Sequence, residues 1–241
     1  MAEYDDFAET YQKTNFKRPL FKFAVYSSFY NQFKNLAGKR ILDLACGDGL
    51  VTRKLKKLGA SEVTGMDISK KMIALAKETE QKEKLGIKYK AGQVGKLGKI
   101  GSFDYISAAF LLHYAKSKEE LERMCEDCFQ NLRKGGTLLA INNNPLHPLS
   151  KDRKYGNLIF CKNEPPLESD ELFVRHSKSN ISFKNYFWKK ETYGDALSNA
   201  GFKKIEWLPI EVNKKGYHKM GGNFWKEFIE HPFFVIIKCV K

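Results

Sequence analysis

Apolar and polar positions follow two rhythms along this chain. Short apolar runs at residues 40–44, 62–66, 87–90, 103–108 and 137–142 have the length of buried strands. Between them the spacing is helical. Residues 20–36 predict a helix ended by Gly38, and residues 49–58 predict another closed by Gly59. Ser69 can cap a helix that carries Met72, Ile73 and Ala76 on one face. Ser117 through Glu120 form a capping box. The helix it opens sets Leu121, Met124, Cys125, Cys128 and Leu132 on one stripe, with Gly135 and Gly136 as its stop. Strands that alternate with helices predict a parallel sheet covered on both faces.

After the fifth strand the rhythm breaks. Residues 143–190 hold most of the prolines and short strand-like pieces, among them Leu158–Phe160 and Ser182–Trp188. This segment predicts an inserted lid or cap. Helical spacing returns at residues 192–197 and stops at Gly201, and two further strands fall at 203–212 and 233–240. Tyr217, His218, Phe224 and Trp225 lie between them. The whole of residues 1–241 then makes one doubly wound α/β domain around a seven-stranded, mostly parallel sheet, with an insertion over residues 143–190.

Composition narrows the function classes. The formal charge is +14, from 42 basic and 28 acidic residues. The lysines are scattered (Lys54, Lys56, Lys57, Lys189, Lys190, Lys214, Lys215), as on solvated helix faces, and form no dense block of the kind that grips nucleic acid. They leave room for an anionic small-molecule substrate. No apolar run has the length of a membrane-spanning helix, and the acidic start MAEYDDFAET lacks a signal pattern, so a cytoplasmic protein is expected. Five cysteines without a signal sequence read as free thiols. Cys125 and Cys128 share the apolar stripe of their helix and read as core rather than as metal or redox groups.

The chemistry gathers at the strand ends, where ligands bind in a parallel α/β sheet. The first strand runs into Asp43-Leu44-Ala45-Cys46-Gly47-Asp48-Gly49. Glycines there let a ligand approach the backbone closely. Asp43 can accept from an ammonium group or cap the turn that follows, and both can hold. Asp67 ends the second strand, where a carboxylate can accept from both hydroxyls of a ribose. A nicotinamide cofactor would call for G-x-G-x-x-G. Here Gly47 and Gly49 fill the first two positions, but Thr52 occupies the third, and Asp43 would repel a pyrophosphate. S-adenosylmethionine carries a sulfonium, an ammonium and a ribose without phosphate, and suits the pattern better.

The stretch from Ile41 to Gly49 resembles the first motif of class I S-adenosylmethionine-dependent methyltransferases, and Asp67-Ile68-Ser69 resembles their second. Phe103-Asp104 through Tyr114 is similar to their fourth-strand region, and Leu132 through Leu139 to the approach to their fifth strand. The resemblance covers about residues 1–142 and 190–241 and implies a closing antiparallel strand pair. A narrower likeness, to the toxoflavin-synthase type, rests on Tyr4 through Tyr11, on LDLACGDG, on Phe110 through Ala115 and on Asn185 through Trp188. Members of that type methylate ring nitrogens of an azapteridine-like heterocycle. Two departures stand out. Ala45 replaces a frequent glycine, which matters only where φ must be positive. Gln93 stands in the stretch after the third strand where an acidic residue commonly accepts from the adenine amino group, and its carbonyl can accept the same bond.

The resemblance implies a cofactor site of Asp43, Ala45, Cys46, Gly47, Gly49, Asp67, Ile68, Met72, Gln93, Val94 and Phe110, with Ile68 on the adenine face. Tyr11 could close over the sulfonium or pack in its own helix. His113 and Tyr114 follow the fourth strand, where acceptors lie in the family. His113 can take a proton from the acceptor, or serve as a hydrogen-bonded structural histidine, since an acceptor that is already nucleophilic needs no base. His176, Tyr186 and Trp188 in the insertion can stack on a flat substrate or form the insertion's own small core. No metal cluster, Ser-His-Asp set or phosphate-cradling loop appears. Methyl transfer to a small molecule is the expected function. Two rivals are methylation of nucleic acid, for which Asn144-Pro145-Leu146 offers only a loose motif in the wrong place, and a cofactor-binding module without turnover.

Overall fold

The computed structural model describes residues 18–147, 155, 157–176 and 181–241. Five parallel strands form the first part of the main sheet: β1 (Arg40–Leu44), β2 (Glu62–Asp67), β3 (Lys88–Ala91), β4 (Phe103–Ala109) and β5 (Leu132–Asn143). Helices α2 (Leu50–Lys57), α3 (Lys70–Glu83) and α4 (Lys118–Asn131) connect them, preceded by a π-helical turn at Phe21–Val25 that runs into α1 (Tyr26–Tyr30). After the insertion come α5 (Lys190–Ala200), β9 (Lys204–Leu208), α6 (Lys214–Met220), α7 (Gly222–Glu230) and β10 (Phe234–Val240). The strand order is β3-β2-β1-β4-β5-β10-β9. β10 slots between β5 and β9 and runs antiparallel to both, as the closing strand pair requires.

Side-chain alternation splits the core across the two faces of the sheet. Leu42, Leu44, Ile106, Ala108, Leu138 and Ala140 pack with α4 and α5 on one face. Ile41, Leu139 and Ile141 pack on the other, with the N-terminal helix, α2 and α7. Chain order reverses between β1 and β4, and a crevice opens outside the carboxyl ends of those strands.

Within residues 143–190 a second sheet forms in the order β6-β7-β8: β6 (Asn157–Phe160), β7 (Glu171–His176) and β8 (Ser182–Tyr186), antiparallel throughout. β7 stands beside the two strand-like pieces named from sequence. Its own Leu172 and Val174 are buried. Trp188 stitches this sheet to the main body by donating its indole N–H to the Ala115 carbonyl at 3.0 Å.

Three boundaries differ from the sequence reading. The helix expected to reach residue 36 ends at Tyr30, because Gln32 and Phe33 donate to carbonyls three residues back and Asn35 turns to φ 47°. Phe33 and Leu36 are still buried, so the apolar spacing was core spacing in a turn. α4 stops at Asn131, not at the Gly135-Gly136 pair. Those glycines lie inside β5, where they bond with Lys241 at the chain end. Leu132 therefore packs from a strand.

Candidate active site

A cleft of about 420 Å³ opens at the reversal point between β1 and β4. That is within the range of small-molecule sites. Of the predicted residues, Asp43, Ala45, Cys46, Gly47, Asp67, Ile68, Met72, Gln93, Val94, Phe110 and Tyr114 all line it.

The first strand tip is built around a buried carboxylate. Asp43 is almost fully buried and accepts from Thr52 Oγ1 at 2.6 Å. Thr52, which breaks the dinucleotide fingerprint, is thus the residue that orients Asp43. Burial pushes the Asp43 carboxyl up to about 6; the Ser107 and Thr52 hydroxyls pull it back, and the charge of Asp67 adds to the rise. Ser107 is the register partner of Asp43 on β4, although its Oγ makes no bond of full hydrogen-bond geometry among the described residues.

The turn after β1 is a run of positive φ angles: Ala45 at 55°, Gly47 at 54° and Gly49 at 85°. Ala45 does occupy the left-handed region, so the departure from glycine there carries strain. Gly47 donates its N–H to Asp67 Oδ2 at 2.8 Å, and Gly49 donates to the Cys46 carbonyl at 2.9 Å. Two backbone donors of the glycine turn are thus already engaged, one of them by the second-strand carboxylate. Gly49 itself is absent from the cleft wall. Its side-chain position is filled by the Tyr89 ring, which lies beneath the turn with its hydroxyl against the place a Cβ would take.

The second and third strand tips complete the floor. Asp67 Oδ1 accepts from Ser69 N–H at 2.8 Å, so its two oxygens are oriented by two backbone donors. Ile68, at 56% exposure, lines the cleft beside Asp67. Gln93 and Val94 come from the loop after β3.

The fourth strand ends in a second strained residue. Phe110 sits at φ 61°, a genuine outlier for a bulky side chain and of the kind that gathers at functional sites. Its ring centroid lies 5.2 Å from that of Phe234, 5.8 Å from Phe21 and 6.5 Å from Tyr26. Tyr26 and Phe110 line the cleft, so one end of it has an aromatic wall.

His113 and Tyr114 part company. Tyr114 lines the cleft, whereas His113 is buried behind it, with ring centroids 4.9 Å apart. Burial lowers the His113 imidazole to about 3, with Asn142 pulling weakly the other way, so it is neutral across the physiological range. Tyr186 and Trp188 line a second, much smaller cavity of about 20 Å³ with Asn143, His147 and Phe233. His176 ends β7 opposite Asn157. Tyr11 lies outside the described residues. Asn144, of the loose nucleic-acid motif, anchors a loop by donating to the Pro232 carbonyl at 2.8 Å.

Sequence reasoning passed over several wall residues: Tyr26, Leu111, Lys116, Glu120 and Met124. Glu120 was legible as a helix cap and Met124 as apolar stripe, and each is that as well. Cys125, Cys128 and Cys239 are buried together in the core, where burial raises all three thiols and leaves them protonated. Among the described residues no group of three His, Cys, Asp or Glu is placed to hold a metal, and no helix is long and apolar enough to cross a membrane.

A switch-point cleft with two carboxylates at adjacent strand tips, a tight glycine turn between them and an aromatic wall defines a small-molecule-binding α/β domain suited to a cationic ligand. Comparison with known proteins agrees. A methyltransferase-domain family model matches residues 41–136. The chain is 30% identical over 187 residues to a demethylmenaquinone methyltransferase of Chlorobaculum tepidum, spanning 73% of this chain and 72% of that protein. It is 36% identical over 115 residues to a ubiquinone biosynthesis O-methyltransferase of Nitrosococcus oceani, spanning 46% of this chain and 47% of that one, about half its length. A solved S-adenosylmethionine-dependent methyltransferase of Mesorhizobium loti shares the fold, with a TM-score of 0.67 at 20% identity over 90% of this chain and 97% of that one. The chain belongs to the class I S-adenosylmethionine-dependent methyltransferases, and the residues of the cleft fit that family's cofactor.

Proposed function

We propose that this protein transfers the methyl group of S-adenosylmethionine to a flat small molecule held against the Phe110 wall. The observation that carries the reading is the pair of carboxylates, Asp43 and Asp67, that line one cleft at the tips of β1 and β2. When bound, the cofactor supplies a methyl carbon on a cationic sulfur that departs as a neutral thioether.

The chain's own work is binding, alignment and exclusion of water. Asp67 holds the ribose hydroxyls, Ile68 covers the adenine face, and Gln93 accepts from the adenine amino group. Asp43 faces the ammonium end. Tyr26 and Phe110 present ring faces to the cationic sulfur and to the acceptor. Tyr114 is the contact to the acceptor, with His113 as a neutral backing that fixes it. A buried imidazole near 3 is too weak a base to share the work. Tyr186 and Trp188 line the separate small cavity and take no part in holding the acceptor.

An aromatic wall recognises the face of a ring. The azaheterocycle nitrogen implied by the toxoflavin-synthase likeness and the quinone precursors in the relatives' names share such a face. Calorimetry with S-adenosylhomocysteine, followed by turnover on a panel of ring nitrogens, phenols and quinols, tests the proposal. Asp67→Ala should weaken S-adenosylhomocysteine on the order of 100-fold, through the loss of two charge-assisted bonds. Unchanged affinity would defeat the reading. Tight, steeply salt-dependent RNA or DNA binding would favour a nucleic-acid acceptor instead. Cofactor binding without turnover on any acceptor would favour a module.

A further inference from the structure

Two buried polar residues of α4 hold the loop that carries Gln93 and Val94. Residues 92–102 belong to no helix or strand, so their backbone groups need partners from elsewhere. Asp127 and Asn131 supply them. Asp127 Oδ2 accepts from Gly95 N–H at 2.6 Å and from Leu97 N–H at 3.0 Å, and Oδ1 accepts from Gly98 N–H at 3.0 Å. Asn131 Oδ1 accepts from Ile100 N–H at 2.8 Å and Gly101 N–H at 3.1 Å, while its Nδ2 donates to the Gly98 carbonyl at 2.7 Å and to the Asp127 carbonyl at 2.8 Å. Five loop amides thus end on two side chains that are themselves buried.

The placement along α4 adds the second half of the case. Glu120, Met124, Asp127 and Asn131 recur at helical spacing on one face. The first two line the cleft, and the last two grip the loop. Gly95 turns at φ 90° and Gly98 at φ 58°, so the loop is folded tightly around the carboxylate. The other end of the loop is tied to the ribose strand, where Gly92 N–H donates to the Asp67 carbonyl at 2.9 Å. One rigid helix therefore forms part of the cleft wall and fixes the segment that forms its adenine edge.

We infer that Asp127 and Asn131 are positioning residues for the adenosine half of the cofactor: their side chains hold the loop at residues 95–101, and through it set the place of Gln93 and Val94. The inference rests on the cofactor reading above. Neither side chain touches the ligand. A positioning role of this kind acts on the adenosine half alone, whereas Asp43 acts on the amino-acid half alone.

The test is calorimetry on the full chain with two probes, S-adenosylhomocysteine and 5′-methylthioadenosine, which lacks the amino-acid end. The variants are Asp127→Asn and Asn131→Asp, both of unchanged volume. Each should weaken both probes by the same factor, about tenfold, because loop amides lose a carboxylate acceptor in the first and the Gly98 and Asp127 carbonyls lose their donor in the second. The preference for S-adenosylhomocysteine over methylthioadenosine should stay as in the native protein. In Asp43→Asn that preference should collapse. Hydrogen exchange on the unmodified protein gives a reading that does not depend on a variant's folding. Saturating S-adenosylhomocysteine should slow the amides of Gly95, Leu97, Gly98, Ile100 and Gly101. Undiminished affinity in a folded variant, or those five amides unmoved by ligand, overturns the inference. No heat with the native protein instead overturns the cofactor reading on which it stands.

Discussion

The tips of β1 and β2 and the inserted sheet are built in opposite ways. At the tips the backbone does the shaping. Ala45, Gly47 and Gly49 turn through positive φ, Gly47 donates to Asp67, and Thr52 holds Asp43 only nine residues away. The inserted sheet is joined to the body by side chains from distant segments. Trp188 reaches Ala115, Asn143 Nδ2 donates to Asn185 Oδ1 at 3.2 Å, and Tyr155 donates its hydroxyl to the Phe224 carbonyl at 2.6 Å. A site shaped by backbone tolerates almost no added atom. A site joined by side chains can lose one contact and keep its form. The first two strand tips of the cleft fall in the first class and the inserted sheet in the second.

The largest expected effect attacks the backbone-built region. Gly49→Ala would set a Cβ against the Tyr89 hydroxyl at a φ of 85°. Left-handed strain and overpacking together predict a loss of about 3 kcal/mol in a urea melt. Adding Tyr89→Phe removes the nearest of the colliding atoms and should return part of that loss, with the ring carbon and Arg53 Nη1 still in place. If the single variant melts like the native protein, the turn is not held from below by Tyr89.

This region was also the most legible in the sequence, because its signals are local. Ser69 caps α3 by accepting from Met72 N–H, and Ser117 caps α4 by accepting from Glu120 N–H, as the residue order implies. Asp43 and Asp67 were readable from the ends of two apolar runs. What stayed hidden depends on distant partners. Nothing near Tyr26 or Phe21 announces that both rings will meet Phe110. Nothing near Asp127 says that its carboxylate serves a loop some thirty positions earlier in the chain. The stop at Asn131 was concealed for the same reason, since its carboxamide is committed to residues 98–101.

The next effect is one of pH. Asp43 is raised from 3.8 to about 6. Between those values the folded state binds more protons than the unfolded state. Its stabilising share is therefore complete below pH 3.8 and is lost as pH rises through 6. Binding runs the other way. An ammonium beside the carboxylate favours the ionised form, so S-adenosylhomocysteine should bind about tenfold more weakly at pH 5 than above pH 7. Methylthioadenosine, which has no ammonium, should bind alike at both. Parallel profiles for the two ligands would place the amino-acid end away from Asp43.

A smaller effect probes the side-chain-built region. Trp188→Phe removes the indole donor to the Ala115 carbonyl while keeping an aromatic ring in a buried position. The loss should be about 1 kcal/mol in global stability, the size of one buried hydrogen bond. Amide exchange should quicken mainly in β6 to β8, and affinity for S-adenosylhomocysteine should hold. A fall in that affinity would mean that the insertion shapes the cofactor end as well, and the contrast between the two regions would fail.

The smallest effect decides whether the strain at the first strand tip is a relic or a device. Ala45 at φ 55° costs about 1–2 kcal/mol relative to a residue without a Cβ. Ala45→Gly relieves that cost but makes the unfolded chain freer, which takes back about 0.4–1 kcal/mol. The first quantity exceeds the second, so the variant should be more stable by about 0.5–1 kcal/mol in a urea melt. Ligand affinity separates the two meanings. If the methyl of Ala45 is only tolerated, S-adenosylhomocysteine should bind the glycine variant as it binds the native protein. If the methyl packs against the ligand from the cleft wall it helps to line, the variant should gain stability and lose affinity together. The lining position favours the second outcome, and a variant that gained neither stability nor affinity would show that the left-handed turn carries no strain.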